Sequence, residues 1–378
     1  MARSLLRGDT APAGPTTQRT AIRMKRTTTL LVALSLLVSA AVATPAHAAP
    51  KTKFRIAWSI YVGWMPWGYA SDEKIMKKWA DKYGIDVEIV QVNDYIESIN
   101  QYTAGQFDGC VMTNMDALTI PAAGGVDSTG LIVGDFSNGN DGIVLKDKTK
   151  LEDIKGQKVH LVELSVSHYL LARALSTINL TEKDVTVVNV SDADVVAAFA
   201  TPDVTAMVTW NPQLSQVKAA KGATEVFDSS KIPGEIIDLM VVNTATLKEN
   251  PALGKALTGA WYEIMGLLQD KGDKGKAARG SMAKASGTDL AGFDGQLATT
   301  RMFYDPKDAL SFMRSATLPA TMDHVRQFSF AHGLLGAGAK SADAVGISYP
   351  GGKTVGDAKN VKLRFDDTYA AMAAEGKD

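Results

Sequence analysis

Short apolar runs of strand length alternate along this chain with longer amphipathic stretches of helical spacing. The runs "KFRIAW", "IDVEIVQV", "FDGCVMT", "DVTVVNV" and "VTAMVTW" are each followed by such a stretch. This alternation is typical of an α/β protein with mostly parallel sheets. Ligands of such proteins bind beyond the carboxyl ends of the strands, so the loops after these strands are the first candidates for a binding site.

One of these loops is rich in aromatic residues. The segment "AWSIYVGWMPWGYA", residues 57–70, holds three of the six tryptophans and two tyrosines, interleaved with two glycines and Pro66. Glycine and proline disfavour a buried helix, and a strand would show a cleaner period of two. We therefore expect a short strand that runs into a shaped loop, followed by a helix from Ser71 to Gly84.

The first 48 residues have the pattern of a cleaved export signal. From Met24 the chain has a basic start, an apolar stretch over residues 30–42 and the small-x-small triplet Ala46-His47-Ala48. The apolar stretch is short for a membrane span, which takes roughly 20 residues. We expect translation to start at Met24 and the exported chain to begin at Ala49.

Charge and cysteine content narrow the class of protein. Lys and Arg number 40 against 41 Asp and Glu, and the lysines are scattered, which argues against a nucleic-acid surface. Cys110 is the single cysteine, so no intramolecular disulfide forms. A mature chain of this length must be stabilised by burial, and we expect two lobes.

Signatures of catalysis are poor in this sequence. Five residues separate Gly346 from Gly352 where a phosphate-binding loop needs four, and neither a Gly-x-Ser-x-Gly elbow nor a His-Glu-x-x-His motif occurs. His160 and Glu163 would point to opposite faces of a strand. We predict no catalytic residue, no metal site and no cofactor.

Four longer segments carry a resemblance to a known family. They are "FRIAWSIYVGWMPWGYA", "YTAGQFDGCVMTNMDALTIPAAGG", "LEDIKGQKVHLVELSVSHYLLARAL" and "DADVVAAFATPDVTAMVTWNPQL". In order and spacing they resemble the solute-binding proteins of ABC importers, in the nitrate, taurine and aliphatic-sulfonate group. The sequence looks most like the members associated with urea carboxylase, which are described as urea or guanidine binders. The resemblance covers roughly residues 53–260.

The resemblance implies a type II periplasmic-binding-protein fold, an α/β clamp of two lobes that each hold a mixed, mostly parallel sheet flanked by helices. Residues 49–141 and 243–378 would form the first lobe and residues 142–242 the second, with hinge strands near "GIVLK" and "DLMVVN". The implied protein is a periplasmic monomer that binds a small solute and meets the membrane only through the permease subunits of its importer.

Both the resemblance and the strand-end rule select the same loops as walls of a ligand pocket. The predicted ligand-binding residues are Trp58, Tyr61, Trp64, Asn114, Asp116, Glu163, Ser165, His168, Trp210 and Asp238. Each has a structural alternative: the aromatic residues could only cover a strand end, Ser165 could be only a helix N-cap, and Glu163 could face water at a helix start.

The chain departs from the family pattern at the start of the second lobe's first helix. Related sulfonate and nitrate binders commonly place a Gly-Ser pair there, where free N–H groups favour an anion. This chain has "ELSVSH", residues 163–168, with Asp116 on the facing loop. A carboxylate repels an anion, whereas tryptophan faces attract planar cations by about 0.5–2 kcal/mol each. We therefore expect a urea- or guanidinium-like solute.

Three alternatives remain open at this stage. Within the same class, the ligand could be an anion such as a sulfonate, taurine or nitrate held by helix N-termini. From another class, pyrimidine-precursor synthases of thiamine biosynthesis share this fold family, but the chain lacks the cysteine-rich motif that the family resemblance implies for them. A sensory domain that reports its ligand to a receptor is the third.

Overall fold

The structure is a computed structural model that describes residues 51–377. The predicted export signal and its cleavage site lie outside the described residues. Within the described part, no helix combines the length and the apolar character that crossing a membrane requires.

Two β-sheets organise residues 51–377. The large sheet contains β1 (Lys53–Trp58), β2 (Asp86–Gln91), β3 (Gly109–Thr113), β4 (Ser128–Ser137), β10 (Ile237–Asn243), β11 (Thr300–Met302), β12 (Gly346–Ser348), β13 (Thr354–Val355) and β14 (Val361–Phe365). The small sheet contains β5 (Asp141–Lys146), β6 (Lys158–Leu161), β7 (Thr186–Asn189), β8 (Ala206–Trp210) and β9 (Ala223–Asp228). We call each sheet with its helices the large lobe and the small lobe.

Helices flank both sheets. In chain order they are α1 (Met65–Asp72), α2 (Ile75–Lys82), α3 (Tyr95–Thr103), α4 (Asn114–Ala117), α5 (Val166–Thr177), α6 (Val195–Ala200), α7 (Gln213–Lys218), α8 (Thr244–Glu249), α9 (Pro251–Gln269), α10 (Asp273–Ala285), α11 (Leu290–Leu297), α12 (Pro306–Met313), α13 (Thr317–Ala331) and α14 (Thr368–Ala374). The helices α5, α6 and α7 belong to the small lobe.

Strand order places β10 in the interior of the large sheet. The order is β13-β12-β14-β4-β10-β3-β1-β2, and β11 pairs with β4. The strands β1, β2 and β3 run parallel to one another, whereas β10 runs antiparallel to both β3 and β4. The amino end of β10 therefore lies at the same edge as the carboxyl ends of β1 and β3.

The small sheet has a similar arrangement, in the order β7-β6-β8-β5-β9. The strand β6 is parallel to β7 and β8, and β5 is antiparallel to β8 and β9. The carboxyl ends of β6 and β8 thus share an edge with the amino end of β5. This mixed α/β architecture of two sheets flanked by helices confirms the predicted fold class.

The chain passes between the lobes twice, at residues 138–140 and 229–236. Ser229 joins the two passages: its hydroxyl lies 2.6 Å from the hydroxyl of Ser137 and accepts the N–H of Gly139 at 2.8 Å. The predicted hinge strands each belong to one sheet, "GIVLK" to β5 and "DLMVVN" to β10. The hinge expected at these strands remains a prediction.

The aromatic segment differs from its prediction. A 3-10 turn at Val62–Trp64 leads directly into α1, so the predicted loop spans only residues 59–61. Pro66 is tolerated because it lies in the first turn of the helix, where its missing N–H has no partner to lose. Gly68 is needed because the ring of Trp58 lies 2.6 Å from where a Cβ would be. Lys74, with φ of 58°, then separates α1 from α2.

Packing of large aromatic side chains anchors α1 in the large lobe. Trp67 is buried and stacks on Trp261 of α9, with ring centroids 5.3 Å apart. Gly134 in β4 makes room for the Trp261 ring, which would lie 2.9 Å from an added Cβ. The 3-10 turn before α1 is thereby held at the edge of the sheet that faces the small lobe.

Candidate functional site

The edges of the two sheets face each other across a narrow, closed cleft. The residues that line its cavity are Tyr61, Trp64, Tyr95, Thr113, Asp141, Val166, Trp210, Ile236 and Asp238. The cavity has a volume of about 10 Å³. That volume holds roughly one water molecule, so the cleft in this conformation is nearly filled by its own side chains.

Four aromatic rings form a continuous wall across the cleft. Tyr61 meets Trp64 edge-on at 5.0 Å between ring centroids, and Trp64 lies 5.5 Å from Tyr95. Tyr95 in turn meets Trp210 of the small lobe edge-on at 5.6 Å. Such a wall offers π-faces and ring edges to a flat ligand.

Two aspartates of the large sheet lie side by side at the floor of the cleft. Asp238 in β10 is the register partner of Asp135 in β4, and both are buried. Tyr61 donates its hydroxyl to Asp135 Oδ1 at 3.0 Å. Burial raises the pKa of both carboxyls above the ordinary value, and the negative charge of Asp135 raises the pKa of Asp238 further. The pair therefore favours a bound proton or cation.

The small lobe contributes a third carboxyl. Asp141 begins β5, pairs in register with Trp210 at the end of β8, and lines the cavity. Burial raises the pKa of Asp141 to about 7, a hydrogen bond from Ser137 opposes the rise, and the charges of Asp135 and Asp116 add to it. Closing the cleft thus brings acidic groups from both lobes together.

Asp116 lies directly behind the aromatic wall. Tyr95 donates its hydroxyl to Asp116 Oδ2 at 2.6 Å, and Thr113 donates to the same oxygen at 2.8 Å. Burial raises the pKa of Asp116 to about 6, and hydrogen bonds from Tyr95, Thr113 and the backbone of Val166 oppose this. Asp116 therefore fixes the Tyr95 ring and adds negative potential. Among the residues that line the described cavity, none is a lysine or an arginine.

Six of the ten predicted site residues lie in or next to this cleft. Tyr61, Trp64, Trp210 and Asp238 line the cavity. Asp116 lies one layer behind the cavity. Ser165 is the N-cap of α5, and the first residue of that helix, Val166, lines the cavity. Ser165 accepts the N–H of Ser167 and donates to the carbonyl of Val162 at 2.7 Å, so its hydroxyl is already engaged. Ligand contact by these residues remains a prediction.

The structure places Trp58 and Glu163 outside the cleft. The Trp58 ring packs on Gly68 of α1 rather than beyond the strand end. Glu163 is exposed because the next residue, Leu164, adopts a left-handed conformation with φ of 62° that turns this loop toward solvent. Its backbone N–H is bound by Asn189 at 2.9 Å.

Asn114 and His168 also lie away from the cavity and have partners within the protein. Asn114 is buried, donates to the carbonyl of Glu235 at 3.1 Å and accepts the N–H of Ile237 at 3.0 Å, so it holds the second passage between the lobes. His168 faces the opposite side of α5, where it contacts Glu182. Neither residue lines the cavity.

His168, Glu182 and His332 form the one group within residues 51–377 whose side-chain atoms are close enough to hold a metal ion together. His332 fits as a ligand because its Nδ1 lies 2.8 Å from the carbonyl of Phe328, which leaves Nε2 facing Glu182 at 2.6 Å. His168 does not fit, because its Nδ1 accepts the N–H of Leu164 at 3.1 Å and the neutral ring then carries its proton on Nε2. The arrangement is better suited to sharing protons with Glu182.

Sequence reasoning missed Tyr95, Asp135 and Asp141 as parts of the site. The signal was present for Asp135, which is a lone carboxylate in the apolar run "TGLIVGDF", and for Asp141, which immediately precedes the apolar run "GIVL". A charged residue next to a buried strand needs a partner or a function. Tyr95 gave no such signal, because an aromatic residue in the first turn of an amphipathic helix is ordinary.

Comparison with known protein families shows the family to which this chain belongs. The model of the family described as NMT1/THI5 like matches residues 69–263, more than half of the chain. The chain belongs to this family. The matched range includes Tyr95, Asp141, Trp210 and Asp238, whereas Tyr61 precedes it. No curated protein matches the sequence.

Solved structures show the same fold. The alkanesulfonate-binding protein SsuA from Xanthomonas axonopodis pv. citri, bound to MOPS, is 18% identical with a TM-score of 0.63 over 79% of this chain and 99% of that one. The periplasmic aliphatic sulphonate binding protein SsuA from Escherichia coli is 18% identical, with a TM-score of 0.62 over 78% and 96%. The periplasmic nitrate-binding protein NrtA from Synechocystis PCC 6803 is 14% identical, with a TM-score of 0.54 over 88% and 100%. These likenesses confirm the type II periplasmic-binding-protein fold.

Proposed function

We propose that this protein is an extracytoplasmic solute-binding protein that delivers a small planar cation, of the guanidinium class, to the permease of an ABC importer. The fold supports the binding role, because the solved structures of this fold named above are described as alkanesulfonate-, sulphonate- and nitrate-binding proteins, and the last two as periplasmic. The role needs no bond to be made or broken, and the protein would work in the periplasm as a monomer.

The observation that carries the choice of ligand is the convergence of buried carboxyls from both lobes. Asp238 and Asp141 line the cavity, Asp135 and Asp116 back it, and all four have raised pKa values caused first by burial. A buried carboxylate needs a compensating charge, and the lining residues supply none. Guanidinium carries one positive charge and only hydrogen-bond donors, which matches a cavity rich in acceptors.

The aromatic wall and the size of the cavity favour the same ligand. A planar cation can lie against Trp64 or Trp210 and gain about 0.5–2 kcal/mol per favourable contact with a ring. A cavity of about 10 Å³ must widen slightly even for a ligand of a few atoms. Micromolar affinity requires about 8 kcal/mol, which so few atoms supply only through a nearly complete set of charge-assisted hydrogen bonds.

An anion such as nitrate or a sulfonate is the alternative, and the start of α5 is the feature that favours it. Val166 opens this helix of 12 residues and lines the cavity, so its N–H could face an anion. The backbone of Val166 already lowers the pKa of Asp116, however, and an anion would lie next to four carboxyls. We therefore rank a cation first, neutral urea second and an anion third.

Three planar molecules of similar size differ in charge: guanidinium is a cation, urea is neutral and nitrate is an anion. A thermal-shift series at pH 7.5 with about 0.1–5 mM of each, at constant ionic strength, tests the proposal. Ligand at 100 times its dissociation constant stabilises by about 2.7 kcal/mol, so a specific ligand raises the midpoint visibly. We expect the midpoint to rise with guanidinium and not with urea or nitrate, and a larger rise with nitrate would reject the cation.

A further inference from the structure

At the rim of the cleft, a carboxylate of the small lobe binds the first turn of a large-lobe helix. Asp192, in the loop between β7 and α6, is only 3% exposed and accepts the backbone N–H of Tyr95, the first residue of α3, at 3.2 Å. The neighbouring Ser191 donates to Asp94 Oδ2 at 3.1 Å. Both contacts join the two lobes.

Asp94 and Asp192 bind different backbone N–H groups at the start of α3. Asp94 is the N-cap of α3 within its own lobe, because its Oδ1 accepts the N–H of Glu97 at 2.9 Å. Asp192 supplies a second acceptor to the same helix end from the other lobe. The first N–H groups of a helix have no partner within that helix. When the cleft is open, the N–H of Tyr95 can therefore bind only water.

The residue that Asp192 binds is also a wall of the cavity. The ring of Tyr95 lies 5.5 Å from Trp64 and 5.6 Å from Trp210, and its hydroxyl donates to Asp116 at 2.6 Å. The hydroxyl also accepts the N–H of Thr113 at 3.0 Å. The position of Tyr95 is thus defined from the large lobe by its hydroxyl and from the small lobe by its backbone.

We propose that Asp192 is a positioning residue that holds the two lobes closed over the ligand by binding the start of α3 from the opposite lobe. The proposal rests on the function proposed above. Another contact across the lobes, from the N–H of Val62 to the carbonyl of Asn211 at 3.4 Å, uses backbone atoms only. Asp192 does not itself line the cavity, so a substitution of its side chain can alter closure without removing a lining residue.

The surroundings of Asp192 agree with a role in closure. Burial raises its pKa to about 6, the N–H of Tyr95 opposes this and the charge of Asp94 adds to it. Asp94 and Tyr95 both belong to the large lobe, so the charge of Asp94 and the N–H of Tyr95 reach Asp192 only when the lobes are together. The N–H offsets part of the cost of burying the carboxylate there, which makes the hydrogen bond specific to the closed state.

The test compares Asp192→Ala, which removes the acceptor, with Asp192→Asn, which keeps one. Asp203→Ala, at an exposed position of the same lobe, is the matched control. Stopped-flow tryptophan fluorescence with guanidinium gives the association and dissociation rates. We expect Asp192→Ala to dissociate about ten- to hundredfold faster with an association rate within about twofold of wild type, because a hydrogen bond to a charged group is lost only from the closed state.

The Asp192→Asn variant distinguishes a role of Asp192 in closure from a role in folding. Asp192→Asn should dissociate within about threefold of wild type, and the ligand-free thermal midpoints of all three variants should match. An unchanged dissociation rate in Asp192→Ala overturns the proposal. So does a fall in its ligand-free midpoint that Asp192→Asn shares, because the residue would then serve the small lobe's own fold.

A second readout keeps this test independent of the ligand. Dyes on Asp81→Cys in the large lobe and Lys158→Cys in the small lobe report the distance between the lobes in the free protein. We expect Asp192→Ala to lower the fraction of closed molecules. If wild type fails to bind guanidinium while Asp192→Ala still opens, the proposed ligand is wrong and the positioning role stands; equal closed fractions overturn that role.

Discussion

Asp238 and Asp135 occupy partner positions on the antiparallel strands β10 and β4, and both are buried at the floor of the cleft. Two carboxyls this close cannot both stay ionised without a counter-charge, so one of them retains a proton. Asp141 of the small lobe is a third buried acid, and it lines the same cavity.

The ligand-free protein should lose stability as the pH rises from 5 to 8. Burial raises the pKa of Asp116 to about 6 and that of Asp141 to about 7 in the folded state, whereas both titrate near 3.8 when unfolded. Between these values the folded state binds more protons, so the free energy of unfolding falls with rising pH. Thermal midpoints across this range check the sign. A midpoint that rises through pH 6–8, in wild type but not in Asp141→Asn, would contradict it.

Removing one acidic group should weaken binding of the cation. Asp141→Asn keeps the shape of the side chain but removes a charge-assisted pair, which typically costs about 2–5 kcal/mol or at least about 30-fold in affinity. Glu163→Gln is the matched control, because Glu163 is exposed and outside the cleft, and it should bind like wild type. Calorimetry with guanidinium measures both. Tighter binding by Asp141→Asn would favour an anionic ligand.

The hydroxyl of Tyr95 should matter less than the ring of Trp210. Tyr95→Phe removes the hydrogen bond to Asp116 but keeps the wall, and we expect a loss of affinity of about three- to tenfold. Trp210→Leu removes a π-face as well as apolar contact, and we expect a loss above tenfold. Binding titrations of the two variants give the ratio. Equal affinities for Trp210→Leu and wild type would mean that this ring does not touch the ligand.

The contact between Glu182 and His332 should stabilise the protein in a limited pH window. The hydrogen bond with Glu182 raises the pKa of His332 above 6.5, and both histidines help to lower the pKa of Glu182 to about 2 despite burial. The contribution of His332 to the free energy of unfolding is complete below pH 6.5 and is lost as the pH rises through its raised pKa. The contribution of Glu182 is present above about pH 4.5.

Thermal unfolding at pH 5.5 and pH 9 tests this window. His332→Gln should lower the midpoint at pH 5.5 by more than at pH 9. Lys340→Gln, at an exposed position after α13, is the control and should change neither midpoint. A His332→Gln effect that is the same at both values would show that packing on Phe328, with ring centroids 4.0 Å apart, outweighs the charge.

The local parts of the fold were predictable from the sequence. Ser165 is the N-cap of α5, as expected, because a serine directly before a stretch with helical spacing is a local signal for the start of a helix. The helix α1 was missed because Pro66 and Gly68 are unfavourable in a helix interior, yet Pro66 lies in the first turn and Gly68 makes room for Trp58. That second reason depends on a tertiary contact that local patterns do not contain.

The acidic cleft was predictable only in part. Asp238 was selected from its place in a predicted hinge strand, but its pairing with Asp135 depends on the register of two strands far apart in sequence. Glu163 was expected in the cleft from its place after β6, and the left-handed conformation of Leu164 turned that loop outward. Sequence reasoning thus selected Asp238 among the residues that line the cavity, and it expected Glu163 there although that side chain is exposed.

The most direct test of the central claim is calorimetry of guanidinium binding to the wild-type protein at pH 7, in two buffers of different ionisation enthalpy. A cation that replaces protons on the cleft carboxyls must release them, so the observed heat should differ between the buffers in proportion to the protons released. We predict binding in the micromolar range with proton release, and about tenfold weaker binding at pH 5.5. Guanidinium binding with no dependence on buffer or pH, or tighter binding of nitrate or taurine than of guanidinium, would contradict the account.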